Sequence, residues 1–494
     1  MRALGLVVSC LICLLVGAGT VGASPFEVTV SQRYSNRDFT SSAVTGQQLL
    51  SVLQAAYGSF GSNSVVPRFG SDYSLVIFAT NASGSYRYDP AANSVTMFNA
   101  AANLAKISPH LLQSWQSTAN VVLIFVWDQT KVNSPYVASV EAGCVTQNVY
   151  LAVIGQGLGT TIAGIIDSSG LQGDLGLASS MIPIAVMPMG FPTSSYPDAT
   201  PDYGRMNGNL PQVETSADSF TDALSSMTFA RSWTNADLSQ QELSQLLWAA
   251  YGYSSTGHRT TPSANGIYPL VVYISNSTGT YRYLPESHQV SQLQAGDKRS
   301  DIASACNNQA WVADAPSIFL ITVDSSYNGG NTGDGGVLDH EWVEIDAGCV
   351  AQQILLESSV INLSGNAVTN GFESWNGNGA QAIRNALGLT SSIIPLCVVP
   401  VGHAAAGPSP SPSQTASPSP SGSAVPSSSP SQSPSPTNSP SQTITPSPSI
   451  PALLPATLAI ALVSITVILA LLLRRNRRKA LSQEPPKQST EMNI

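Results

Sequence analysis

Residues Gln240–Ile274 read QQELSQLLWAAYGYSSTGHRTTPSANGIYPLVVYI, and this stretch decides the fold. It predicts an amphipathic helix, a glycine stop, a polar loop and a buried strand. The same pattern stands earlier, at Gly46–Ala79, as GQQLLSVLQAAYGSFGSNSVVPRFGSDYSLVIFA. A repeat of this length makes the pair of copies the unit to explain.

Both helices carry their own start and stop signals. Ser239 with Glu242, and Thr45 with Gln48, have the spacing in which each side chain satisfies a free backbone donor of the other. Leu243, Leu246, Leu247 and Ala250 share one face, as do Leu50, Leu53 and Ala56. Gly252 and Gly58 follow the last turn, where a left-handed residue would close the helix. Tyr268–Ile274 and Tyr73–Ala79 are short and rich in β-branched and aromatic residues, as strands are.

Working outward, the copies align along most of the chain. Arg37 faces Arg231, Pro67 faces Pro262, and Tyr86-Arg87-Tyr88 faces Tyr281-Arg282-Tyr283. Val121–Trp127 matches Ser317–Val323, EAGCVTQNVYL at Glu141–Leu151 matches DAGCVAQQILL at Asp346–Leu356, and Ile182–Gly190 matches Ile394–Gly402. The offset only grows, as it does when insertions fall in loops. Each copy reads helix, strand, hairpin strand, helix, buried strand, long helix, strand. That order predicts an α/β (α+β) sandwich with a mixed sheet flanked by helices. The long helix is expected to begin at Glu141 and Asp346, with the acid favoured by the dipole at its N-terminus.

The ends of the chain have a different character. Met1–Ser24 has the pattern of a secretory signal: Arg2, an apolar run and a small-residue cleavage region. The copies follow at 25–215 and 216–405. Residues 406–450 alternate proline and serine, as an extended stalk does. Residues 451–473 are long and apolar enough to cross a bilayer, and Arg474, Arg475, Arg477, Arg478 and Lys479 follow at once. The expectation is a single-pass type I protein of the cell membrane, its bulk extracytoplasmic and its tail, 474–494, inside.

The exported part holds 13 Lys/Arg against 27 Asp/Glu, a net charge of −14. That balance argues against nucleic acid as a partner, and it makes any cluster of basic residues call for a reason. Asn81, Asn276 and Asn362 lie in glycosylation sequons, the first two at matching hairpin tips. Cys144 and Cys349 occupy equivalent helix positions, with two readings open: a bridge near the pseudo-twofold axis, or two inert buried thiols. Residues 324–339, rich in acceptors and glycine, read as a calcium loop or as a plain insertion; the calcium register is absent. Trp115 and Trp311 align and read as core residues. The histidines are scattered and suggest no metal site.

Arg33, Ser35, Arg37 and Phe39, the LLWAAYG helix end at Leu246–Gly252, Pro262-Ser263-Ala264 before Tyr-Pro-Leu, the AGCVxQ helix, the Gly157-Leu158-Gly159 turn and the closing VPVG strand together resemble the nitroreductase superfamily, in particular its SagB-type branch. The resemblance covers roughly residues 33–205 and 231–403. It implies an FMN-dependent oxidoreductase fold that works as a dimer with two flavins across the interface. Here both subunits stand in one chain, an intrachain pseudo-dimer needing no second copy.

By that resemblance one composite site takes Arg33, Ser35 and Arg37 from the first copy and Pro262, Ser263 and Ala264 from the second. Arg205 would add a late basic residue at the phosphate, and the backbone at Ala163 and Gly164 would face the flavin's reactive edge. Arginine's planar fork suits a phosphate, and the protein mainly orients the flavin, so no side-chain nucleophile is expected. The mirrored site has Met227 and Phe229 in place of the first arginine and the serine, and Pro67-Arg68-Phe69 as its loop. The expectation is one FMN per chain, with a small-molecule redox substrate. The bland alternatives are that Arg33 and Arg37 are solvated surface charges and Ser263 a mere loop residue. In that case the chain is a flavin-free binding or structural surface protein that kept the fold.

Overall fold

The computed structural model describes residues 24–327, 339–373, 375 and 377–405. The leader apart from Ser24, the stalk, the spanning segment, the basic tail and most of the 324–339 insertion lie outside the described residues.

The first copy begins with helix α1 (Phe26–Gln32) and helix α2 (Gly46–Tyr57), followed by the hairpin of strands β1 (Leu75–Asn81) and β2 (Gly84–Asp89) and by β3 (Ser94–Asn99). Strand β4 (Val121–Asp128), helix α3 (Pro135–Gly155), the short β5 (Gly159–Thr160), helix α4 (Ser168–Leu175) and strand β6 (Met181–Gly190) complete it. The second copy runs through helices α5 (Phe220–Ser226) and α6 (Gln240–Tyr251), strands β7 (Leu270–Asn276), β8 (Gly279–Leu284), β9 (Gln289–Ala295) and β10 (Ser317–Asp324), helix α7 (His340–Val360), strand β11 (Ser364–Gly365), helix α8 (Asn378–Leu387) and strand β12 (Ile393–Gly402).

Two six-stranded sheets result, ordered β3-β2-β1-β4-β6-β5 and β9-β8-β7-β10-β12-β11. The repeat is therefore one topology used twice. Every ladder between these strands is antiparallel, so the expected mixed sheet is corrected. An isolated parallel bridge joins Phe229 to Gly365. The central strands are buried on both faces, which explains their continuous apolar runs in place of alternation.

Both capping boxes form as their spacing predicts. The stop glycines are explained differently. Gly58 and Gly252 have φ of −96° and −79°, outside the left-handed region. Glycine stands there because a Cβ on Gly58 would lie 2.6 Å from Gln54 O and 2.8 Å from the Tyr88 hydroxyl. The same atom on Gly252 would overlap Trp248.

Helices α3 and α7 begin at Pro135 and His340, well before Glu141 and Asp346, and are capped by Ser134 and Asp339. The two acids are therefore interior residues, and the helix dipole does not account for them. Helix α3 is long and apolar enough to cross a membrane by composition, yet it lies buried in the fold as a core helix.

These two helices carry the contact between copies. A Cβ on Gly143 would overlap the Ile345 carbonyl, and one on Gly348 would overlap that of Val140. Glycine at both positions thus permits the backbones to touch. Beside the crossing the Cys144 thiol donates to Gly348 O at 3.4 Å and the Cys349 thiol to Gly143 O at 3.2 Å. Both cysteines are free and buried, and burial raises both thiols well above their ordinary value. Gln147 Nε2 donates to Gln353 Oε1 at 2.6 Å and Gln352 Nε2 to Asn148 Oδ1 at 3.0 Å, across the same seam. One apolar core runs through both copies without interruption.

Candidate functional site

A cleft of ≈ 230 Å³ opens at the seam between the copies, lined by Ser35, Arg37, Tyr150, Thr161, Ala163 and Gly164 from the first and by Pro262, Ser263, Ala264 and Trp342 from the second. Of the residues singled out in the sequence, it brings together Ser35, Arg37, Ala163, Gly164, Pro262, Ser263 and Ala264. Arg33 stands directly behind it, and Arg205 stands elsewhere.

The first wall is organised by Tyr150 of α3. Its hydroxyl lies 3.1 Å from Ser35 Oγ and 3.0 Å from Thr161 Oγ1, and it accepts the Ile162 N–H at 3.1 Å. The Arg33 guanidinium sits over the Tyr150 ring at 5.2 Å from its centroid. Arg33 is 3% exposed and donates from Nη2 to Arg259 O of the other copy at 3.0 Å, while its Nε and Nη1 have no partner. Arg37 is exposed and lies over Trp115 at 5.9 Å. Trp115 therefore has two faces, one packed on the core beneath β4 and one on the cleft.

Backbone availability separates Ala163 from Gly164. Ala163 gives its N–H to Val186 O at 2.9 Å, whereas the Gly164 N–H meets no acceptor among the described residues. The Gly164 carbonyl is held by Gln116 Nε2 at 3.0 Å.

The second wall is held by Asp346, which is buried in α7. Its carboxylate accepts the Ser263 hydroxyl at 2.7 Å and the Ala264 N–H at 3.2 Å. Ser263 Oγ accepts in turn the Tyr268 N–H at 2.9 Å. The loop is thereby pinned with its small side chains on the cleft. Burial pushes the Asp346 carboxyl up to about 7, opposed by those two hydrogen bonds. Glu141, its counterpart in α3, accepts from Ser74 and Tyr57 and has no such loop to hold.

Arg205 does not line the cleft. It pairs with Asp202 at 2.9 Å and Glu286 at 3.3 Å and lies over Tyr253 at 4.3 Å. Trp342, Tyr150 and Thr161 were not anticipated from the sequence. Comparing the copies was the available signal, since their counterparts are Val137, Leu355 and Asn366.

The mirrored position lacks this chemistry. Met227 is buried in the core, and Phe229 packs against it where Ser35 carries a hydroxyl. Arg231 lies over Trp311 at 5.2 Å, and Trp311 stacks on Trp233 at 5.9 Å. Arg68 lies over Tyr73 at 4.8 Å, and Phe69 is buried.

The Nitroreductase family model matches residues 30–191 and 230–403, which covers both copies and more than half of the chain. The chain belongs to the nitroreductase family. A nitroreductase homologue of Methanocaldococcus jannaschii is 28% identical over 205 residues, spanning 40% of this chain and 96% of its own, the length of one copy. A nitroreductase-type structure from Anabaena variabilis has the same fold, with a TM-score of 0.58 at 14% identity, covering 78% of this chain and 92% of its own. The NADPH:FMN oxidoreductase of Vibrio harveyi, solved with NAD+, is 17% identical with a TM-score of 0.29, covering 39% of this chain and 72% of its own. Members of the nitroreductase family typically bind a flavin such as FMN. The donor set of the cleft fits the anionic part of such a group: Arg33 has orphaned buried nitrogens directly behind it, and Arg37 is exposed on it with no ion pair among the described residues.

Proposed function

We propose that this nitroreductase-family chain is a flavin-dependent oxidoreductase holding one FMN in the seam cleft, anchored at the outer face of a membrane by the apolar segment at 451–473. We further infer that it stands nearest the SagB-type branch, from the spacing of Arg33, Ser35 and Arg37 and from Pro262-Ser263. The observation that carries the reading is the convergence of Arg37 and Ser35 from one copy with Ser263 and Ala264 from the other on a single cleft.

In this reading Arg37 on the cleft, with the buried Arg33 charge behind it, would hold the anionic and polar edges of FMN. Ser263 and Ala264, fixed by Asp346, would offer the ring a small-residue wall, and the Gly164 N–H, which meets no acceptor among the described residues, would be available to it as a donor. Trp115 and Trp342 exclude water from one side. When bound, FMN supplies hydride chemistry with a small-molecule substrate, while the chain supplies orientation and electrostatics.

Titration of the purified chain with FMN, followed by quenching of flavin fluorescence, tests this. Saturable quenching is expected, with at least about tenfold weaker binding in Arg37→Ala, the loss of one charge-assisted contact. Absence of quenching contradicts it and favours the flavin-free surface protein, a reading supported by Arg205 being tied to Asp202 and Glu286.

A further inference from the structure

We propose that the first copy holds a second, separate binding site: a cationic pocket for a small organic dianion with a flat unsaturated body. The pocket measures ≈ 340 Å³ and shares no lining residue with the seam cleft. Arg68 from the 67–69 loop, Arg87 from β2 and Lys131 from the turn after β4 converge on it, and Asp72 is the one acid on its wall.

Three features argue for a ligand. First, the chain outside its leader and tail has only 13 basic residues, and three of them line this one concavity. None of the three forms an ion pair among the described residues, although 27 acids are available in the same part of the chain. Like charges gathered in a cleft repel one another, and a low-dielectric wall focuses their field on whatever anion enters.

Second, the remaining wall is aromatic and apolar. Tyr57, Tyr73 and Tyr88 line it together with Leu75 and Ile77. The tyrosine hydroxyls are already engaged inside the protein, on Glu141, on Val66 O at 3.4 Å and on Asn93 Oδ1 at 3.1 Å respectively. The wall therefore presents ring surface, chiefly from the half-buried Tyr73, rather than free hydroxyl groups, which suits a flat apolar body better than a polyol. The Arg68 fork rests 4.8 Å from the centroid of Tyr73, which limits its conformational freedom.

Third, the pseudo-symmetric pocket of the second copy has a similar volume and a different charge. Its volume is ≈ 370 Å³, and Tyr251, Tyr268, Tyr283 and Arg282 repeat their counterparts. There Tyr327 takes the place of Lys131, the residue that matches Arg68 is Ser263 and lies on the seam cleft instead, and Arg259 is neutralised by Glu286 at 3.1 Å. Asp324 adds a second acid to the wall. Shared ancestry explains the common tyrosines and Arg87/Arg282. It does not explain two further unpaired cations in one copy alone.

Calorimetric titration of the full chain with terephthalate, inorganic phosphate and the uncharged terephthalamide tests the proposal. Terephthalate is expected to bind once per chain with an affinity that falls with salt, and terephthalamide not to bind. Arg87→Gln and Lys131→Gln, both surface changes expected to leave the thermal midpoint unchanged, should each weaken terephthalate about tenfold. Arg282→Gln and Arg37→Ala, in the other two pockets, should leave it unchanged. No terephthalate binding overturns the proposal, as does binding insensitive to Arg87→Gln and Lys131→Gln. Phosphate binding without terephthalate binding overturns the flat-bodied ligand class.

Discussion

Arg33 is nearly buried and yet leaves Nε and Nη1 without partners, an expensive arrangement for a chain that binds nothing there. Replacing a buried, incompletely paired charge with an apolar side chain of similar volume is often neutral or stabilising. Arg33→Met is therefore predicted not to lower the thermal midpoint of the flavin-free chain, while weakening FMN at least about tenfold. A lower midpoint with unchanged FMN affinity would make Arg33 a structural residue. Asp346 gives a second prediction. Its carboxyl stands at about 7 in the fold, above the unfolded value, so the native state holds the extra proton between the two. Stability is then full below the unfolded value and falls as pH rises toward 7, by roughly 4 kcal/mol from this group if it acts alone. Denaturation midpoints of Asp346→Asn should vary less between mildly acidic and mildly alkaline pH than those of the wild type. That Arg37 and Ser263 line one cleft was expected from the family resemblance of their segments, not from the residues alone. Tyr150 was not expected, because its importance rests on a hydroxyl aimed at Ser35 and Thr161 from a helix that is buried on all sides.

At the scale of elements, the two capping boxes were legible because both partners lie within four residues of each other. Ser239→Ala should cost about 1 kcal/mol in chemical denaturation. The starts of α3 and α7 were not legible: helices buried all round show no amphipathic stripe, and the caps Ser134 and Asp339 lie upstream of the repeated string. The α3–α7 crossing depends on Gly143 and Gly348, where a methyl group has no space. Gly143→Ala is predicted to destabilise the fold by at least about 2 kcal/mol, since backbone rather than a mobile side chain must yield. A change within a few tenths would contradict the crossing. Cys144 and Cys349 give carbonyl-directed thiols there, so the leaderless chain, unfolded without reductant, should label at all four cysteines. Two labelled thiols would mean a bridge.

At the scale of the molecule, duplication sets both architecture and asymmetry. The growing offset between copies already implied a duplication with insertions in loops, the pseudo-dimer was an expectation of the family resemblance, and one apolar core includes residues of both copies. The strand directions were beyond the pattern, because a run buried on both faces looks alike in parallel and antiparallel sheets. Arg205 was misplaced for a similar reason: nearness to the end of a repeat does not fix the direction of an exposed side chain, and Asp202 and Glu286 took it. Of the two composite positions, one combines Arg33, Ser35, Arg37 and Tyr150 with the Ser263 loop. The other keeps Arg231 for Arg37 but has Met227, Phe229 and Leu355 in place of Arg33, Ser35 and Tyr150. Only one seam position is thus predicted to bind flavin. The most direct test is the ratio of FMN to polypeptide in the reconstituted chain, from the visible flavin band against the total amino-acid content. One FMN per chain is predicted, and a ratio of two, or of none at saturating FMN, would contradict it.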